Sequence, residues 1–176
     1  IPTQWSQAGD YEIKEVAGQQ TVVTNSKARF SFKVPENWKV EWDNSIPHIL
    51  NLFSQDVKFD ENQSLINGCG VFLTTLQQLD EFEYLNQLIQ STTQESSGGV
   101  VNKQVNVQKG IVNLDGHVSL RTSFFASKEG DTLKNILVEI PFGEDGIINI
   151  ENNFAVSSKN SCLENFQEIT NTLLFQ

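Results

Sequence analysis

A chain of 176 residues in which 38% are apolar, among them 12 Phe and 3 Trp, has the length of one domain and enough apolar surface for one buried core. Its 22 acidic residues against 12 basic ones give a formal charge of −10, which lacks the footprint that phosphate binding requires, so neither nucleic acid nor an anionic membrane surface is an expected partner. No apolar run approaches the ~20 residues of a bilayer-spanning helix, and the chain is not expected to be transmembrane.

Residues 1–10 lack periodicity and end in Gly9-Asp10, which predicts an N-terminal arm or tether followed by a single domain over residues 11–176. The chain starts at Ile1 and contains no Met, so a removed upstream segment is expected: a signal peptide, a lipoprotein leader with its anchor, or a cut made to isolate the domain. Tyr11 to Val16 alternates apolar and polar residues as a half-buried strand does, and Ala17 to Gln20 turns the chain into a second strand ending at Thr24. Phe30-Ser31-Phe32-Lys33-Val34 has the clearest period of two, with Phe30, Phe32 and Val34 on one face, and Pro35 stops it because its nitrogen cannot donate to a ladder. Trp38 to Trp42 alternates in the same way. His48 to Phe53 is a weaker strand, Ser54 to Gly68 reads as an exposed mobile loop, and Gly70 to Leu76 reads as a central strand.

From Asp80 to Thr92 the period changes: Phe82, Leu85, Leu88 and Ile89 recur at three and four residues, one face of a helix that Asp80 can cap. Four strands follow, over Val100 to Lys109, Gly116 to Ser127, Thr132 to Pro141 and Gly146 to Phe154. The breaks between them, at Asp115-Gly116, Lys128 to Asp131 and Gly143 to Gly146, are hairpin signals. Ser161 with Glu164 three residues on has the capping-box spacing, and Leu163, Phe166, Ile169, Thr170, Leu173 and Leu174 form a stripe running to the C-terminus. The expected class is α+β: a mostly antiparallel sheet flanked by two or more helices.

Several residues invite a chemical reading. The chain has two His, His48 and His117, and neither stands in a metal or nucleophile motif. The acidic clusters around Asp56, Asp60 and Glu61 and around Glu144, Asp145 and Glu151 match no calcium-loop template and read as solvated turns. No catalytic, cofactor-binding or metal-ligating residue is therefore expected. Trp38 and Trp42 share a strand face and are the candidate walls of a ligand groove, with packing as the competing role. Cys69 and Cys162 can remain two buried thiols or form one disulfide in an oxidising compartment. The bridge is the expectation, because both stand where an element begins at an edge of the sandwich.

Phe30 to Trp38, a strand followed by a Pro turn and a Trp, and the closing segment Phe166 to Phe175 give the chain a resemblance. It resembles the PsbP-like superfamily of α/β/α sandwiches, which includes the thylakoid-lumen PsbP, exported lipoproteins of the DcrB and LpqN type and a nuclear Ran-binding nucleotide-release factor. The resemblance spans Phe30 to Phe175 and implies that fold together with a non-enzymatic, often exported accessory role. The expected function is accordingly an exported accessory or protein-binding domain (periplasmic, cell-surface or lumenal), without cofactor, with a protein partner and a lipid or leader anchor upstream. The alternative is a small-molecule or peptide carrier that uses a sheet–helix cleft near the Asp80 helix.

Overall fold

The computed structural model of the chain describes residues 3–4, 6–43, 49–77, 103–128, 131–142 and 146–176. Its strands are β1 (Thr3–Gln4), β2 (Tyr11–Lys14), β3 (Val22–Asn25), β4 (Phe30–Lys33), β5 (Lys39–Trp42), β6 (Leu50–Phe53), β7 (Lys58–Phe59), β8 (Leu65–Asn67), β9 (Cys69–Gln77), β10 (Lys103–Leu114), β11 (His117–Lys128), β12 (Asp131–Phe142) and β13 (Gly146–Ala155). Helix α1 (Lys159–Asn171) and strand β14 (Leu174–Phe175) close the chain.

An eight-stranded sheet runs in the order β10-β11-β12-β13-β9-β6-β5, with β1 also paired to β9. A second sheet of four strands runs β14-β4-β3-β2, and β7 with β8 forms a short separate hairpin. The meander β10 to β13 follows from alternation and turn chemistry. Between β10 and β11, Asp115 and Gly116 both take positive φ (47° and 81°), the backbone of a two-residue turn whose twist suits a hairpin, and the Gly116 N–H donates to Asn113 Oδ1 at 2.9 Å.

Register decides which side chains enter the core. Ile148, Ile150 and Phe154 of β13 stand opposite Thr75, Leu73 and Cys69 of β9, and all six are buried. Phe30, Phe32 and Val34, the period-two face read from the sequence, are also buried and join them in one cluster with Cys162, Phe166 and Ile169 of α1. The other face of the large sheet is more polar, carrying Asn149, Glu151 and Asn153 along β13. There burial pushes the Glu151 carboxyl above its ordinary value of 4.5, opposed by a hydrogen bond to Asn153. Between the ordinary and the raised value the folded chain holds a proton that the unfolded chain has released, so stability falls as pH rises through that window and stays lowered above it. Glu151→Gln is expected to remove the fall, giving a larger gain in Tm at about pH 7 than at about pH 3. Equal gains at the two pH values would refute the assignment.

The structure differs from the sequence reading at several elements. Two or more helices were expected, whereas the described residues hold one α-helix, and the Asp80 to Thr92 segment lies outside them. The closing helix begins at Lys159, not Ser161, and its N-cap Ser158 makes no side-chain capping bond; a 3-10 turn, Val156–Ser158, leads the chain in instead. That helix stops at Asn171, and the apolar residues after it leave the helical period: Leu173 is buried, Leu174 is exposed, and β14 pairs with β4. The polar stretch from Ser54 to Gly68 is tied down as the β7–β8 hairpin, because Asp60 Oδ1 accepts from the backbone N–H groups of Asn62 and Ser64 (2.9 and 2.8 Å) and Leu65 is buried. Before Tyr11, Thr3–Gln4 pairs with β9, and the Ser6 N–H donates to Thr75 Oγ1 at 2.7 Å.

Candidate functional site

Helix α1 is fastened at both ends, and the fastenings determine where space is left. At its start, Cys162 is joined by a disulfide to Cys69, the first residue of β9, with the two Cα atoms 5.6 Å apart. Around the bridge, Gly68 N–H donates to Ser158 Oγ (3.1 Å), Cys69 N–H donates to Ser54 Oγ (2.8 Å), and Ser54 Oγ donates to Asp56 Oδ1 (2.7 Å). Toward the other end, Gln20 donates to Glu168, and the Lys33 N–H donates to Thr172 Oγ1 at 3.0 Å. Beyond it, the Phe175 N–H donates to Asp115 Oδ2 at 2.8 Å, and the His117 ring stacks on Phe175 with centroids 3.9 Å apart.

Between these fastenings the helix leaves a cleft of about 430 Å³ against the β10–β12 end of the sheet. Val112 and Leu114 of β10 and Val138 of β12 form its sheet wall, and Leu163 and Phe166 its helix wall. Gln167, Thr170 and Asn171 add neutral polar groups, and Arg121 of β11 is the one charged side chain among the described lining residues. Across the β10–β11 ladder Arg121 faces Gly110, and Val112 faces Ser119, so the strand face that carries Val112, Leu114 and Arg121 also carries two small residues. A Cβ at Gly110 would meet no atom within 4 Å. No carboxylate pairs with Arg121 among the described residues.

Among the described residues, Trp38 and Trp42 have different neighbours. Trp42 packs edge-on against Tyr11 with centroids 5.2 Å apart, whereas Trp38 borders a shallower depression of about 400 Å³ over the disulfide, with Glu36, Gln55, Asp56, Ser161 and Asn165 around it. Both Trp rings are half-buried against the core. Trp38→Phe is therefore expected to lower stability by about 1 kcal/mol in denaturant melts. Loss of partner or ligand binding at unchanged stability would instead make Trp38 a groove residue. His117 is engaged by Phe175, and Asp56 and Asp60 are turn acceptors. His48, Glu144 and Asp145 lie outside the described residues. The Arg121 cleft was not read from the sequence; its one signal is that Ser119 and Arg121 interrupt the inward-facing row of an otherwise strand-like segment.

These features define an antiparallel two-sheet sandwich closed by a disulfide-pinned helix, with a ligand-sized cleft beneath that helix. No family model and no curated protein matches the chain. By structure it is similar to cyanobacterial PsbP (CyanoP) from Synechocystis, with a TM-score of 0.59 at 9% identity, over 88% of this chain and 91% of that one. It is also similar to LpqN of Mycobacterium tuberculosis, a protein involved in cell envelope biogenesis, with a TM-score of 0.56 at 12% identity, over 94% and 90% of the two chains. A Bacteroides thetaiotaomicron protein gives a TM-score of 0.54 at 10% identity over 84% of this chain, which spans only 45% of that longer protein. The chain has the PsbP-like fold.

Proposed function

We propose that the chain is an exported, non-enzymatic accessory domain that acts by binding a partner protein. The Cys69–Cys162 disulfide carries this reading, since a reducing cytosol keeps such pairs as thiols. The likeness in fold to CyanoP and to LpqN supports an accessory role over a catalytic one. Among the described residues, both cysteines are joined in the bridge and the His117 ring stacks on Phe175. The test is amine cross-linking of intact host cells with a reagent that does not enter the cytosol. Recovery of the chain in one defined protein adduct is the expected result; a chain that stays unmodified until the cells are lysed would overturn export and accessory role together.

The cleft beneath α1 favours a second reading, that of a small-molecule or peptide carrier. The cleft lies at the closing helix, whereas the sequence reading placed it near the Asp80 helix, which lies outside the described residues.

A further inference from the structure

We infer that the cleft between α1 and the β10–β12 end of the sheet binds an amphipathic monocarboxylate, its carboxylate on Arg121 and its apolar body between the helix and the sheet. The inference rests on the carrier reading. The volume of about 430 Å³ lies within the ~300–1,000 Å³ typical of small-ligand sites. Val112, Leu114 and Leu163 are only half-buried there, so the free protein leaves apolar surface in the cleft that an alkyl or aryl chain would cover.

Charge selects the head group. On a chain of net charge −10, a concavity whose one ionised wall residue is a guanidinium is a locally positive spot on an acidic molecule. A cationic ligand would meet Arg121 as a like charge, and a neutral one would leave its donors without a charged acceptor. The planar fork of Arg matches a carboxylate in two parallel hydrogen bonds, and a single negative charge is what a single guanidinium compensates. Gln167, Thr170 and Asn171 of the last helical turn line the same cleft, so the guanidinium of Arg121 must outweigh the partial negative charge of that helix end for an anion to bind.

The probes are dodecanoate and dodecanol, which share a chain and differ in head group, titrated calorimetrically below their aggregation limits with amide shifts mapping the site. Wild-type protein is expected to bind one dodecanoate per chain, about ten- to a hundredfold more tightly than dodecanol, the range that one charge-assisted pair supplies. Arg121→Gln, a change at an exposed side chain, should bring dodecanoate to the level of dodecanol and leave dodecanol unchanged. Thr170→Trp, which fills the cleft from the helix surface, should weaken both, and melting curves of both variants verify that they fold. If the two probes bind alike, or Arg121→Gln changes neither, the monocarboxylate inference fails while the carrier reading stands. If neither probe binds, or the shifts fall away from the cleft, both fail.

Discussion

Replacing Phe166 with Ala is expected to cost about 3–5 kcal/mol of folding stability, the range for truncating a buried aromatic ring. Phe166 is 4% exposed in the middle of α1 and belongs to the same buried cluster as Phe30, Phe32, Ile150 and Cys162. Its ring therefore helps to join three parts of the molecule: the large sheet, the second sheet and the helix. The void left by Ala would open toward the cleft beneath α1, where water can enter, so the loss should sit near the lower end of the range. In urea melts the midpoint should fall with an unchanged slope, which separates lost stability from a change in the unfolded state. A loss below about 1 kcal/mol would mean that the helix stripe contributes little to docking.

Removing the disulfide is the second large effect. The bridge closes a loop of sequence separation 93, and the chain-entropy model assigns such a loop about 4–5 kcal/mol, with measured losses for native bridges running about 2–5. Cys69→Ala with Cys162→Ala should therefore lower stability by an amount in the measured range, and reduction of the unmodified chain should lower it by a similar amount. The comparison isolates the covalent link from the packing of two buried sulfurs. If the double variant loses less than about 1 kcal/mol, the bridge is not what holds the start of α1 to β9. Titration of thiols in the native protein, unfolded without reductant, checks the bond itself: two reactive thiols per chain would remove it.

Much of the fold was legible because it is written in periods of two. Phe30, Phe32 and Val34 alternate inward as read, and the meander β10 to β13 follows its turn signals to within a few residues. The illegible parts are those where a local pattern competes with tertiary pairing. Leu173, Leu174 and Phe175 continue an apolar run after a helical stripe, and only the pairing of Leu174 with Ser31 and of Phe175 with Phe30 turns that run into a strand. The Ser161 and Glu164 spacing suits a capping box, but Ser161 already lies within the helix, where its hydroxyl donates to the Ser158 carbonyl at 3.2 Å. The disulfide was reachable, because both cysteines stand at element starts. The cleft was not, because a lone Arg in a strand has no motif, and its meaning comes from the closing helix packed against the β10–β12 end of the sheet. The Trp38 and Trp42 pair shows the converse: a shared face is legible, but the engagement of Trp42 by Tyr11 is not.

The position of β9 has a consequence for how the chain comes into being. This strand lies between β6 and β13, and its first residue waits for Cys162, while Ser31 waits for Leu174. During synthesis β9 can pair with β1 and β6 but waits for β13 on its other edge, and the second sheet cannot finish until the final few residues emerge. Long-range pairing of this kind folds slowly. The same delay leaves the Phe-rich strand β4 paired with β3 on one edge only, with Phe30 and Phe32 open to aggregation until β14 and α1 reach them.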